Sequence, residues 1–242
     1  MDELEREIEI FRKEEEEAQQ SFFAYLGVRS LLAQRSDLLA EVNRNAMYWI
    51  TSQHALLVNS FIALGRIFDQ GSAHNIDRLL KLVETNLALL DQDALRQRKE
   101  QVISAEQAAA YVVDKHVTTI DDVRTMRSEV RKWRAVYEDG YRPVRHDFAH
   151  KRTADVAEIN ALLAKTNIDQ MKEMFGFLHS LHEGLRELQL NGRNPLPLPV
   201  VDFVLPPAPK PQRQDHPGEK AYREAQAVLL SMMPQTRKET AD

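Results

Sequence analysis

Apolar side chains recur every three or four positions along most of this chain, and that spacing is typical of amphipathic helices. Four segments follow it clearly, and a fifth begins at Thr166 or Asn167 and runs to about residue 190. The four are residues 2–35, 38–68, 76–90 and 120–148. Gly140 and Pro143 interrupt the last of these, so we expect a kink or a restart near 140–143. The pattern predicts an all-α fold, a bundle of about five helices.

The same pattern predicts which parts of these helices are buried. Residues 38–68 carry two adjacent apolar stripes, a wide face that indicates a central helix. The acidic run Glu14–Glu17 interrupts the pattern of the first helix, so we expect a solvated stretch there. His179 and His182 are expected at the surface or at an interface. Residues 91–117 are polar and rich in alanine, which predicts one or two short helices with little core.

The composition changes near residue 194, and this divides the chain into three parts. Residues 1–193 form the predicted bundle, residues 194–218 a proline-rich extended arm, and residues 219–242 a short C-terminal helix with a tail. Proline forbids helix in the arm and favours an extended, polyproline-like chain. The apolar piece from Val200 to Leu205 is more than a bland linker needs, so we expect it to dock on the chain's own surface or on a partner.

The composition excludes several classes of protein. The 242 residues carry a net charge of −5 and no cysteine, so there is no disulfide framework, thiolate zinc site or cysteine nucleophile. The opening residues lack the basic start and apolar run of a signal peptide, and no apolar stretch approaches the ~20 residues that span a bilayer. We therefore expect a soluble, cytoplasmic protein with no membrane partner.

Cations gather in one stretch of this acidic chain, at residues 141–152 (YRPVRHDFAHKR). Residues 119–152 hold nine basic and six acidic residues, a local charge of +3 that makes a modest footprint for phosphate. On an ideal helix Arg142, His146 and His150 share one face, whereas Arg145 lies off that stripe, since neighbouring residues are about 100° apart. Arg145 and His150 therefore bracket a face, which suits a bound anion or a site completed by a second copy across a two-fold axis.

Two short motifs resemble those of the HEPN superfamily. Residues 145–150 (RHDFAH) match its arginine-x4-6-histidine signature. Residues 64–69 (LGRIFD), closing a long helix, are similar to the abortive-infection U type of HEPN-like protein. The resemblance covers residues 20–190 in outline. It implies a HEPN-like helical bundle that forms a homodimer with two copies of the motif face to face. It also implies a toxin or phage-defence effector that cleaves RNA, such as tRNA, without a metal or cofactor.

The resemblance also implies a role for each residue of the motif region. In such a site a 2′-hydroxyl attacks the adjacent phosphorus, leaving a 2′,3′-cyclic phosphate and a 5′-hydroxyl. Histidine can transfer the protons near neutrality, and arginine can bind two phosphate oxygens. His150 would transfer protons and Arg145 would bind the phosphate, with His146 orienting or assisting. The other residues are Arg142, Lys151 and Arg152 as substrate contacts, and Asp147, which either fixes a histidine tautomer or solvates the helix.

One departure from the family pattern bears on regulation. Some HEPN toxins that pair with a nucleotidyltransferase antitoxin carry a tyrosine two residues after the motif histidine, as the target of adenylylation. Arg152 stands at that position here, which argues against this mode of control. We expect the C-terminal arm to be the contact for any inhibitor or second defence protein.

Structural interpretations of the same residues stay open. Arg145 and His150 would also suit a solvated helix end, where the helix dipole stabilises cations. The arginines at 124–134 suit a solvated face with salt bridges, and Asp69 suits a cap on the turn that follows it. His146 and His150 are spaced as a metal-binding pair, but no third ligand is evident, and we expect no metal site.

The competing function is a non-catalytic interaction protein, a helical scaffold that holds a partner through its first helix and C-terminal arm. The two functions require different surroundings of the motif. A catalytic site needs Arg145 and His150 exposed and convergent across a dimer. A scaffold would leave them apart, or in salt bridges with Asp147 or Glu138.

Overall fold

Helices make up most of the chain that the computed structural model describes, namely residues 3–147, 161, 164–199, 201–203 and 216–232. In chain order they are α1 (Glu3–Gln34), α2 (Ser36–Asn43), α3 (Ala46–Phe68), α4 (Ile76–Thr85), α5 (Gln92–Lys99), α6 (Ala105–Val112), α7 (Ile120–Val136), α8 (Arg142–His146), α9 (Ile168–Asn191) and α10 (Pro217–Ser231). A 3₁₀ turn at Leu87–Leu90 follows α4, and a π-helical turn at Tyr137–Tyr141 joins α7 to α8. The described residues contain no strand, so the predicted all-α fold is confirmed. None of the helices described is both long and apolar enough to cross a bilayer.

The last long helix begins and ends where the sequence predicts. Asn167 caps α9, because its side chain accepts hydrogen bonds from the backbone N–H groups of Asp169 and Gln170. Gly192 ends the helix in the left-handed conformation, with φ of 61°. Both signals are local, so they could be recognised without knowing what the helix packs against.

The chain divides into two compact units, and the predicted site lies in the larger one. That unit combines residues 1–16 with 61–202. Within it α4 packs against α7, and α5 packs against α6 and α9. The start of the arm lies on α9, where the hydroxyl of Ser180 donates to the carbonyl of Pro199 at 2.6 Å. The predicted division into three parts stays a prediction.

The smaller unit combines residues 17–60 with 203–242 and has its own apolar core. Val28, Val42 and Leu229 are buried at its centre. They come from α1, α2 and α10, and Leu31, Leu32, Trp49, Ala225 and Met232 pack around them. In the arm, the ring of Phe203 lies 4.6 Å from that of Phe23. This part of the apolar piece therefore docks on the chain itself, one of the two alternatives that we expected.

The prediction of one central helix over residues 38–68 is wrong. The chain leaves helical structure between α2 and α3, and Met47, Tyr48 and Ile50 are 75%, 67% and 62% exposed. Only the end of α3 is fully buried, with Phe61, Leu64, Ile67 and Phe68 among its buried side chains. Periodicity identifies the apolar face of a helix, but it does not show whether another element covers that face.

Two ionisable side chains expected to be solvated, or to lie at the surface or an interface, are buried. Glu15, within the acidic run, is 0% exposed and His182 is 2% exposed. His179 is also withdrawn from solvent, and its Nδ1 lies 3.0 Å from Oε1 of Glu15. A buried carboxylate requires a compensating partner, and this partner comes from α9, 164 residues further along the chain. The local pattern could not reveal that pairing.

The interruption predicted near 140–143 is present as the π-helical turn. α7 ends at Val136, and α-helical structure restarts at Arg142. Pro143 has no N–H, so it cannot donate the α-helical hydrogen bond to the carbonyl of Asp139. The wider turn is the local adjustment to this missing bond, and it shifts the face on which the following residues lie.

Candidate active site

The structure describes four of the seven residues predicted for the site. Arg142, Arg145 and His146 lie in α8, and Asp147 follows that helix directly. The residues outside the described part of the chain are His150, Lys151 and Arg152. The convergence of Arg145 and His150 therefore stays a prediction.

Arg145 is bound by Asp69, the last residue of the LGRIFD motif. Its Nη1 lies 2.5 Å from Oδ2 of Asp69, and the two side chains are only 21% and 20% exposed. Hydrogen bonds between opposite charges are strong, and partial withdrawal from water strengthens them further. The backbone carbonyl of Asp69 accepts from the N–H of Ser72. The turn is therefore closed by the backbone carbonyl of Asp69. The side chain of Asp69 binds Arg145 instead of acting as the expected cap.

Gly65 leaves the space that Arg145 occupies. A Cβ atom at this position would lie 2.9 Å from both Cδ and Cζ of Arg145, well inside the normal contact distance of carbon atoms. Gly65 is four residues before Asp69, so the gap and the carboxylate lie on the same face at the end of α3. Glycine in a helix interior is disfavoured relative to alanine by about 0.5–1 kcal/mol. The guanidinium is the physical reason for its presence here.

Two further groups contact the carboxylate of Asp69. The phenol of Tyr137, from the π-helical turn, donates to Oδ1 at 3.2 Å. Burial raises the pKa of the Tyr137 phenol above its ordinary value, so the phenol stays protonated and remains a donor. Nε of Arg142 lies 3.6 Å from the same oxygen, although the side chain of Arg142 is 56% exposed. Asp69 therefore lies between two arginines and one neutral donor.

The other residues of α8 are divided between solvent and core. Arg142 and His146 are both exposed and four residues apart, whereas Arg145 is half-buried. The predicted displacement of Arg145 from the stripe of Arg142 and His146 is consistent with this difference. Asp147 is only 3% exposed, so the expectation that it solvates the helix is wrong. Its role in fixing a histidine tautomer stays a prediction.

An arginine-rich cavity of about 390 Å³ lies beside α7. Its lining residues are Gln70, Asp77, Arg124, Arg127, Arg131 and Arg134. Arg124 pairs with Asp121, Arg127 with Glu84 and Arg134 with Asp77. The expected salt bridges are present, but Arg134 is buried, so it does not belong to a solvated face. Arg131 is exposed and has no ion pair within the described part of the chain. Because Gln70 follows Asp69, the cavity begins next to the residue that binds Arg145.

Comparison with known proteins identifies the family of this chain. The family model described as AbiU2 (HEPN_AbiU2) matches residues 1–199, a range that includes both motifs and every helix from α1 to α9. The chain belongs to the AbiU2 family of HEPN-like proteins. The resemblance found in the two motifs is thereby confirmed, and this AbiU2-family chain is an HEPN-like abortive-infection protein. No curated protein and no solved structure gives a significant match.

Sequence reasoning missed the part that Asp69 has in the site of this AbiU2-family protein. The signal was present in the LGRIFD motif, where a glycine interrupts an otherwise apolar helical pattern. Such a glycine marks the close approach of another group. An acidic residue four positions later then indicates that the approaching group is a cation. What could not be read from the sequence is that this cation is Arg145.

We expect Gly65→Ala to lower the free energy of unfolding by about 1 kcal/mol or more. The added methyl group forces the guanidinium of Arg145 away and leaves Asp69 without its closest cation. In an Arg145→Ala background the same change should be neutral or stabilising, since alanine is the better helix former. Urea unfolding of the four chains measures both effects.

The matched control is Gly71→Ala, because a Cβ atom at Gly71 meets nothing within 4 Å. It should leave the stability of the protein within about 1 kcal/mol of the parent. Equal effects of Gly65→Ala with and without Arg145 would contradict the packing described above.

Proposed function

We propose that this protein is a metal-independent endoribonuclease of the HEPN type, acting in phage defence on host RNA such as tRNA. The observation that carries the proposal is the contact between the two family motifs. Asp69 of one motif binds Arg145 of the other, and Gly65 leaves the space that the arginine side chain occupies. In the transition state of phosphodiester cleavage, negative charge accumulates on the phosphate oxygens. A cation that is already positioned before the substrate binds can stabilise that charge.

The roles in this mechanism follow from the chemistry of the side chains. A 2′-hydroxyl attacks the adjacent phosphorus, and the 5′-oxygen of the next nucleotide leaves, giving a 2′,3′-cyclic phosphate and a 5′-hydroxyl. Arg145 has five N–H donors, so its salt bridge with Asp69 through Nη1 leaves others for a phosphate. His150 transfers the protons, and two copies of it in a homodimer divide the acid and base roles. His146 and Arg142, both exposed, contact the substrate beside it.

The arginine-rich cavity supports RNA as the substrate class. It offers exposed positive charge next to the Asp69 turn, and Arg131 has no ion pair to give up within the described residues. Arginine binds phosphate in a planar, two-pronged geometry. We assign this cavity to the RNA backbone on one side of the cleavage site.

The scaffold function is the second candidate, and one observation favours it. Arg145 is paired with a carboxylate and largely withdrawn from solvent, as a structural arginine would be. Its partner is Asp69, whereas the scaffold interpretation named Asp147 or Glu138. The two functions differ in a simple way, because a scaffold cleaves no RNA and loses only stability when Arg145 is replaced.

Arg145→Ala and His150→Ala are each expected to reduce RNA cleavage by about 100-fold or more, since one removes charge stabilisation and the other proton transfer. The measurement is cleavage of total tRNA by the purified chain in EDTA, with folding verified by circular dichroism. The 3′ ends of the products should carry 2′,3′-cyclic phosphate.

The control variants remove the same two residue types, an arginine and a histidine, at positions outside the motif region. Arg193→Ala removes an exposed arginine paired with Glu187, and His74→Ala removes a histidine paired with Glu7. Both should cleave at the parental rate. A folded dimer that cleaves no RNA, or motif variants as active as the parent, would favour the scaffold.

Arg131→Ala is expected to weaken RNA binding and to reduce the slope of log affinity against log salt concentration by about 1, because one phosphate contact is lost. Fluorescence anisotropy with a single-stranded RNA at several salt concentrations measures both quantities. Arg35→Ala, in the smaller unit, is the control and should keep the parental slope. An unchanged slope in Arg131→Ala would remove the cavity from the RNA-binding surface.

A further inference from the structure

Glu15, His179 and His182 bring three metal-ligating groups to one buried point of the larger unit. One ligand atom from each lies within 4.8 Å of the other two. Nδ1 of His179 and Nδ1 of His182 are 3.0 and 3.6 Å from the same oxygen, Oε1 of Glu15. Ligands bound at about 2.0–2.1 Å in a tetrahedral zinc site are about 3.4 Å apart. Two of the three separations between ligand atoms are therefore already close to the separation expected around a bound zinc ion.

His182 supplies the observation that points to a ligand. The side chain is 3% exposed, and neither of its ring nitrogens has a hydrogen-bond partner within the described residues. A buried imidazole without partners costs free energy, and such groups call for an explanation such as a bound ion or water. Nδ1 lies 3.6 Å from Oε1 of Glu15 and 3.5 Å from Oε1 of Glu183, and neither contact is a hydrogen bond.

The contacts within the cluster leave one of its histidines unsatisfied. Nδ1 of His179 is hydrogen-bonded to Oε1 of Glu15, whereas neither ring nitrogen of His182 forms a hydrogen bond within the described residues. A divalent cation bound by the carboxylate and both imidazoles would satisfy all three side chains together.

We propose that Glu15, His179 and His182 form a binding site for a divalent transition-metal ion, with zinc as the ion that fits best. Two imidazoles and one carboxylate are ligands that suit zinc, whereas magnesium and calcium prefer oxygen ligands alone. The two histidines are three residues apart on α9 and Glu15 comes from α1. The ion would therefore join the first helix to the last long helix within the larger unit. None of the three ligands belongs to the RHDFAH or LGRIFD motif, and the role proposed for the ion is to stabilise the fold.

The test uses the full chain without an affinity tag, stripped of metal by a chelator and then dialysed free of it. Calorimetric titration with Zn²⁺ should show one ion bound per chain. Cobalt replaces zinc as a spectroscopic probe, and a tetrahedral site gives it intense visible absorption. Zn²⁺ should also raise the unfolding temperature, because it binds only the folded chain.

His182→Ala should lower the affinity for Zn²⁺ by more than about 100-fold and abolish the rise in unfolding temperature. His74→Ala is the matched control. His74 also contacts a glutamate, at 2.9 Å from Glu7, but among the described residues it belongs to no cluster of three metal-ligating groups. It should bind Zn²⁺ as the parent does. If His182→Ala fails to fold, the cobalt spectrum of the parent chain still decides the question.

Absence of stoichiometric Zn²⁺ binding in the parent chain, or equal binding by parent and His182→Ala, would overturn the metal site. The cluster would then be a hydrogen-bonded network completed by water. Neither result bears on the ribonuclease, which is measured separately by RNA cleavage.

Discussion

The salt bridge between Asp69 and Arg145 is the interaction on which the candidate site depends. It joins the end of α3 to α8, and both side chains are about one-fifth exposed. Losing one partner would leave the other charge in a place where water cannot fully solvate it, a cost of several kcal/mol in buried pairs and less in a half-buried one such as this. Tyr137 and Arg142 converge on the same carboxylate. One residue therefore orients both the arginine that we propose to bind phosphate and the helix that carries it.

The irregular backbone before α8 is part of the same arrangement. The π-helical turn places Tyr137 against Asp69 at its first residue, and Tyr141 at its last residue donates to the carbonyl of Asn167 at 2.8 Å. Both phenols are buried, and burial raises the pKa of each, so both remain donors. The turn is thus tied at one end to α3 and at the other to the cap of α9. This fixes the start of α8, and with it the position of Arg145.

The sequence predicted the features of this protein that are set locally. The start of α9 follows from its cap Asn167, the interruption after α7 from Pro143, and the family from two six-residue motifs. The failures involve partners that are distant in the chain. The burial of Glu15 depends on a histidine of α9, and Met47 is exposed because no element among the described residues covers it. No local pattern contains that information, because it arises from tertiary packing.

The most direct test of the Asp69–Arg145 salt bridge is a double-mutant cycle, using Asp69→Asn, Arg145→Gln and the double variant. The free energy of unfolding of each chain is measured by urea denaturation. We expect a coupling free energy of about 1–3 kcal/mol, the range for hydrogen bonds between charged groups that are partly withdrawn from water. Additive effects, with a coupling below about 0.5 kcal/mol, would contradict this expectation, because Asp69 would then not hold Arg145 in place.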